Sequence, residues 1–161
     1  MRILLLIICC LTIQLSIAQN YSYKTNSTEG RFSLAFPIEP NVEKKEIGGF
    51  TTVLYTGLLN KSVFLFSYSN IPVSDGEIDE ILKSTQNGFM ESVEMVPNNN
   101  RTITKGKIPG LYCEGTAENG LAVSYEVYYH KNILYQIGVM SQGTPDVKSM
   151  KTFSQKLKIK K

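Results

Sequence analysis

The sequence is short of the side chains on which most enzyme mechanisms depend. It has no tryptophan, one histidine and three cysteines among 161 residues. Two of the cysteines, Cys9 and Cys10, lie in an N-terminal apolar stretch, and Cys113 stands alone further on. A single imidazole, His130, leaves no paired His or Cys spacing from which a zinc site is built. No G-x-S-x-G nucleophile elbow occurs, so a serine triad on His130 has nothing to stand on. Neither Gly48-Gly49 nor Gly106 leads into the Lys-Ser/Thr of a phosphate-binding loop. The acidic "DGEIDE" of residues 75–80 is no calcium loop, because the glycine and final glutamate positions counted from Asp75 hold Glu80 and Gln86. No catalytic residue, no metal ligand and no cofactor is assigned.

A hydrophobic run of membrane-spanning length is also missing. The apolar stretch from Ile3 to Ile13 falls well short of the roughly 20 residues a spanning helix needs. It follows the positive charge of Arg2 and precedes the small residues Ser16 and Ala18. That order predicts a secretory signal peptide over residues 1–18, cleaved after Ala18. The alternative is a lipoprotein signal acylated at Cys9 or Cys10, disfavoured by the bulky Ile7 and Ile8 ahead of them. Removing residues 1–18 leaves 143, the size of one domain, large enough to fold without a disulfide or metal. Cys113 is then the sole cysteine, and no intramolecular disulfide forms. Free cysteine usually packs as a small hydrophobe, which predicts a buried, inert thiol.

Charge of either sign is scarce too. Losing Arg2 leaves 16 basic and 14 acidic residues, and six of the lysines fall between Lys148 and Lys161. Without interleaved aromatics this tail is no nucleic-acid patch. It reads as a solvated helix end complementing the negative pole of the macrodipole.

What is present is strand and turn chemistry. Residues 19–28 read as a flexible, polar lead-in, and residues 29–161 as a single domain. In "EGRFSLAFPIEP", residues 29–40, Phe32, Leu34 and Phe36 alternate with Ser33 and Ala35, predicting a first strand over Arg31–Phe36. Val42–Ile47 reads as a polar sheet edge. Gly48-Gly49 turns the chain into Phe50–Gly57, and Asn60-Lys61 turns it into Ser62–Ser69, a strand apolar on both faces. Ser74 and Glu77 make a capping box, with Ile78, Ile81, Leu82, Thr85 and Phe89 on one face of the helix that follows. That helix ends before Pro97 and the turn-prone Asn98-Asn99-Asn100. "RTITKGKI" reads as a strand broken at Pro109-Gly110, after which "LYCEGTA" resumes. Asn119-Gly120 predicts a two-residue type I′ hairpin placing Cys113 opposite Glu126. The strands "LAVSYEVYY" and "ILYQIGVM" are expected to join by a three-residue loop, His130 to Asn132, with Asn132 left-handed. That register sets Val127 opposite Tyr135 and gathers the apolar residues on one face. A last helix is capped by Thr144, starts at Pro145 and points Val147, Met150, Phe153 and Leu157 inward.

The fold class is α+β: a largely antiparallel sheet flanked by helices, an α/β/α sandwich. "GRFSLAFPIEP", "FLFSYSNIP" before an acidic helix start, "KIPGLYCEG", "YYHKNILYQIGV" and a terminal "FSQKLKI" together resemble the PsbP-like superfamily over nearly all of residues 29–160. That superfamily includes an extrinsic photosystem II protein, a Ran-binding import factor and small exported bacterial proteins. The resemblance implies a bacterial binding or assembly module rather than an enzyme. Its motifs are structural punctuation, with no ligand-binding residue to carry over. The four Asn-x-Ser/Thr sequons, at Asn20, Asn26, Asn60 and Asn100, matter only in a eukaryotic secretory route.

A Cys113–His130 dyad is the most tempting catalytic pair, yet four strand positions separate them, about 13 Å at ~3.3 Å per residue. Tyr112, Tyr125, Tyr128, Tyr129 and Tyr135 offer flat apolar area and a hydroxyl. Sheet packing accounts for all but Tyr128. The function expected is an exported, non-catalytic binding or assembly module, secreted or periplasmic, with an unidentified protein or small-molecule ligand. The alternative is a small exported hydrolase or transferase with a carboxylate/tyrosine site. The localisation has a direct check: intact mass of the exported protein should correspond to a chain starting at Gln19. A mass carrying acyl chains on Cys9 or Cys10 would replace secretion by membrane anchoring.

Overall fold

Alternating apolar residues carry most of this chain into strands, and one capped amphipathic segment carries it into a long helix. The computed structural model describes residues 20–143 and 147–160. The strands are β1 (Tyr23–Ser27), β2 (Phe32–Phe36), β3 (Asn41–Ile47), β4 (Phe50–Leu59) and β5 (Ser62–Asn70). A 3-10 turn over Asp75–Glu77 opens helix α1 (Ile78–Ser92). Strands β6 (Met95–Lys105), β7 (Ile108–Ala117), β8 (Leu121–His130) and β9 (Ile133–Gln142) follow, then helix α2 (Val147–Lys156) and the short β10 (Lys158–Ile159). The expected signal peptide, the expected Thr144 cap with Pro145, and the Val147 side chain lie outside the described residues.

The class is α+β with mostly antiparallel sheet. Seven strands form the larger sheet in the order β3-β4-β5-β9-β8-β7-β6, and three form a second, β1-β2-β10. Helix α1 lies on one face of the large sheet, against β6, β7 and β8. Val123, Tyr125 and Val127 of β8 meet it there with Leu82 and Cys113. The opposite face carries Phe64 and Phe66 of β5 with Tyr135, Ile137 and Val139 of β9. It is covered by Phe32, Leu34 and Phe36 of β2 and by Met150 and Phe153 of α2.

Several expectations hold. β3 is the sheet edge, exposed at every residue, as a strand protected from stray pairing by its Lys and Glu should be. The β3–β4 and β4–β5 turns use positive φ at Gly48, Gly49, Asn60 and Lys61, as two-residue hairpins require. At the start of α1 the Ser74 amide and hydroxyl both donate to Glu77 Oε2, at 2.9 and 2.6 Å. Met150, Phe153 and Leu157 are all buried.

Others need correction. The lead-in is not loose throughout, because Tyr23–Ser27 pairs antiparallel with β2, from Tyr23↔Phe36 to Ser27↔Phe32. Tyr21 is held as well, its ring 6.4 Å from that of Phe64 and 6.2 Å from that of Phe153. The opening strand therefore belongs to a second sheet stacked on the first, not to one continuous layer. Pro109-Gly110 is no break: the chain turns at Gly106-Lys107, and β7 runs through both residues. Pro109 sits one residue before the β7–β8 register opens at Gly110↔Tyr128, so its missing N–H costs no bond to β8. Gly110 is needed because a Cβ there would lie 2.5 Å from the Tyr128 ring. Asn98, Asn99 and Asn100 do not turn but lie in edge strand β6, which absorbs Pro97 through an irregular register between Pro97 and Asn99. The terminal helix stops at Lys156, and Lys158 and Ile159 pair with Ser33 and Phe32.

Both hairpin registers are shifted by one residue, in opposite senses. At Asn119-Gly120 only Gly120 has positive φ, and the Gly120 amide donates to Ala117 O at 2.9 Å. The loop is thus three residues long, and Cys113 faces Tyr125 rather than Glu126. At Lys131-Asn132 both residues have positive φ. The loop has two residues, Val127 faces Gln136, and His130 ends a strand instead of tipping a loop. Collecting apolar residues on one face favours a register only when the other face meets water. Here both faces are covered, so that preference vanishes and the turn decides.

Phe153 is fully buried, with ring centroids 4.9 Å from Phe36 and 5.3 Å from Phe64. Phe153→Ala should cost about 3–5 kcal/mol, read as a lower urea midpoint at unchanged slope. A loss under about 1 kcal/mol would mean that α2 is not part of the core.

Candidate functional site

The width of the large sheet creates a cavity. Seven strands at ~4.8 Å spacing span about 29 Å, whereas one helix with its side chains is about 10 Å across. Helix α1 can roof only part of that span, and it sits over β6–β8. The same face of β3, β4, β5 and β9 stays open beside it as a groove of about 450 Å³. Phe89 of α1 and Leu134 of β9 form its inner wall, Leu54 and Leu65 its floor, and Ile47 its outer lip. The buried Thr52 and Ser69 hydroxyls in the floor satisfy each other at 2.7 Å, so the surface offered is mainly apolar. Among the described residues Lys45 is its only ionisable lining residue, and it is paired with Glu43 at 2.7 Å on the exposed edge strand.

A second cavity, of about 380 Å³, lies on the opposite side of the molecule between β6 and α2. It is polar. Glu126 Oε2 accepts from Tyr128 OH at 2.6 Å and from Ser154 Oγ at 2.5 Å. Lys105 Nζ donates to the carbonyl and hydroxyl oxygens of Ser154 at 2.8 and 3.2 Å and lies 5.3 Å from the Tyr128 ring centroid. Burial pulls the Lys105 ammonium below its usual range, and the Glu126 charge offsets that in part. Burial likewise raises the Tyr128 phenol, helped by the Glu126 charge. This cluster brings together the carboxylate and phenol that a carboxylate/tyrosine enzyme would use. Its donors are already committed to one another, however, and among the described residues no second carboxylate lines the cavity. A retaining or inverting pair needs two carboxyl groups whose environments separate their roles.

The tyrosines singled out from sequence serve as pins. Tyr125 is fully buried, stacks on Phe89 at 3.9 Å and donates to Gln136 Oε1 at 2.7 Å. Tyr129 donates to Ile71 O at 2.9 Å, and Tyr135 donates to Gly30 O at 2.9 Å from the opposite face of the sheet. The expectation that Tyr125, Tyr129 and Tyr135 share a face is corrected by the two-residue turn. Tyr112 donates to the Glu114 carboxylate beneath the Arg101 guanidinium, which lies 4.2 Å above the ring. Cys113 is fully buried, and burial pushes its thiol up to about 12. Its cross-strand partner Tyr125 is five positions from His130, so the two are not neighbours. Among the described residues, no group of three or more His, Cys, Asp or Glu side chains is placed to hold a metal ion. No helix among them is long and apolar enough to cross a membrane.

The sequence did not reveal the groove, because its lining comes from five separate elements. Nor did it reveal Gln86, a polar residue on the inner face of α1 that is nonetheless buried. The one available signal for the groove was "SVFLFSYS", whose two apolar faces demand covering while the chain supplies few helices.

The raised acids have a consequence for stability. Tyr112, Cys113 and Tyr135 are pushed up to about 12, chiefly by burial, whereas unfolded phenols titrate near 10 and thiols near 8.5. Between those limits the native state keeps protons that the unfolded chain has lost, so stability falls as pH rises. It should be intact below about pH 8 and decline steadily from pH 9 towards 12. Urea midpoints at pH 8 and pH 10.5 measure this. Equal midpoints would contradict the burial of these groups.

No family model matches the chain, and no curated protein matches its sequence. The solution structure of cyanobacterial PsbP from Synechocystis superposes with a TM-score of 0.60 at 11% identity, covering 84% of this chain and 91% of that one. The fold is PsbP-like.

Proposed function

We propose that the protein is an exported, non-catalytic binding module that holds a ligand in the apolar groove beside α1. One observation carries this reading: a groove of about 450 Å³, within the size range of small-ligand sites, has Lys45 as its only ionisable lining residue among the described residues. Such a surface can desolvate and retain an apolar or amphipathic group. It cannot deliver a base, an acid and a nucleophile to one reacting atom, which catalysis by side chains requires. The PsbP-like fold agrees with a binding or assembly role but does not specify the ligand, since fold and function are separable. Export rests on the Arg2, Ile3–Ile13, Ser16–Ala18 pattern, and places the module in the periplasm or outside the cell.

Apolar and amphipathic compounds, fatty acids and short hydrophobic peptides included, should raise the melting temperature of the exported protein in a saturable way. A ligand at a hundred times its dissociation constant stabilises by about 2.7 kcal/mol. Ile47 is 58% exposed at the groove lip, so Ile47→Glu should leave the unliganded stability within about 0.5 kcal/mol of the parent. It should also weaken binding about tenfold. Stabilisation equal in parent and variant would move the site elsewhere. Turnover of the bound compound would replace the binding module by the hydrolase or transferase alternative.

A further inference from the structure

The cavity between β6 and α2 holds an unbalanced set of charges. Arg101, Lys105, Lys151 and Glu126 line it. Glu126 accepts from the Tyr128 and Ser154 hydroxyls, both at Oε2. Lys105 is committed to the junction, donating to the Ser154 carbonyl in the last turn of α2, an oxygen that also accepts from the Leu157 amide and lies at the negative helix pole, which welcomes a cation. Lys105 and Glu126 thus compensate each other inside the wall. Arg101 and Lys151 are left over. Both are exposed, and among the described residues neither has a carboxylate within ion-pair distance. Arg101 is nevertheless positioned, its guanidinium held 4.2 Å above the Tyr112 ring, which limits the entropy lost when it grips a ligand. Tyr112 lies nearly buried beneath Arg101 and Tyr128 nearly buried beneath Lys105; both lower the local dielectric, strengthening any charge–charge contact at the mouth.

We infer that this cavity is a binding site for a small oxyanion carrying two negative charges, with Arg101 and Lys151 as its two cationic contacts. A guanidinium suits planar, bidentate recognition of carboxylate or phosphate oxygens, and an ammonium adds a second point charge. The volume, about 380 Å³, accepts a phosphate monoester or a short dicarboxylate without displacing the Glu126–Ser154–Lys105 network. The site is separate from the apolar groove, with which it shares no lining residue, and the inference does not depend on what that groove holds.

The test is a titration of the 15N-labelled exported protein with inorganic phosphate and, separately, with succinate, at ionic strength held constant with sodium chloride. Saturable amide shifts confined to residues 101–105, 126–128 and 151–155 are expected from at least one of the two. Saturation by phosphate alone assigns a phosphate ligand, and saturation by succinate alone assigns a dicarboxylate. The Arg101→Gln/Lys151→Gln double variant changes only exposed side chains and should keep the parent's spectrum elsewhere while weakening binding tenfold or more. Ile47→Glu should leave the titration unchanged. Non-saturating shifts matching those of chloride, shifts spread over the other lysines, or unaltered affinity in the double variant would each overturn the inference.

Discussion

Everything in this structure follows from a sheet whose two faces are both apolar and must both be kept from water. Burial at about 25 cal/mol per Å² of apolar surface is the dominant favourable term in folding. The central strands β5, β8 and β9 carry large apolar side chains on each side. One face is closed by β1, β2, β10 and α2, which together lay Phe32, Phe36, Met150 and Phe153 on Phe64, Phe66 and Tyr135. Among the described residues the other face has only α1. Their ten strands and two helices leave the sheet one roof short, and the uncovered part of β3–β5 becomes the groove.

The same constraint explains why the polar side chains chosen for chemistry are mostly structural. A phenol in the wall of a doubly covered sheet must find a hydrogen-bond partner or carry the cost of an unmade bond. Tyr125 finds Gln136, Tyr129 finds Ile71 O, and Tyr135 finds Gly30 O. The last contact links the large sheet to the loop between β1 and β2, so a buried hydroxyl fastens one layer to the next. The Lys105–Ser154–Glu126 network plays a similar part between β6 and α2, and its charges explain why that corner is polar where the rest of the interface is not. Cys113 is buried in the wall beneath α1, and that burial raises its thiol and so disfavours the thiolate that cysteine chemistry needs.

Much of the fold was legible residue by residue. The edge character of β3, the capped start of α1, the turns at Gly48-Gly49 and Asn60-Lys61, and the burial of Phe32, Phe36, Met150 and Phe153 each rest on local chemistry. The errors share a cause. Asn119-Gly120 and Lys131-Asn132 were assigned loop lengths from turn preference in one case and from face segregation in the other, and both slipped by one residue. Pro109-Gly110 was read as a break, yet the glycine exists to admit the Tyr128 ring from a strand eighteen residues later. Residues 23–27 looked too polar for structure because their partner, β2, supplies backbone pairing and not an apolar face.

By itself the sequence determined most element types, the poverty of catalytic groups, and which residues seek burial, because each is written within a few residues of chain. Only the tertiary structure decided that β2 would stack as a second sheet, which register each hairpin would take, and where a groove and a charged cavity would open. Those outcomes depend on how many layers compete to cover one sheet and on side chains distant in sequence meeting across it. No local pattern encodes that competition.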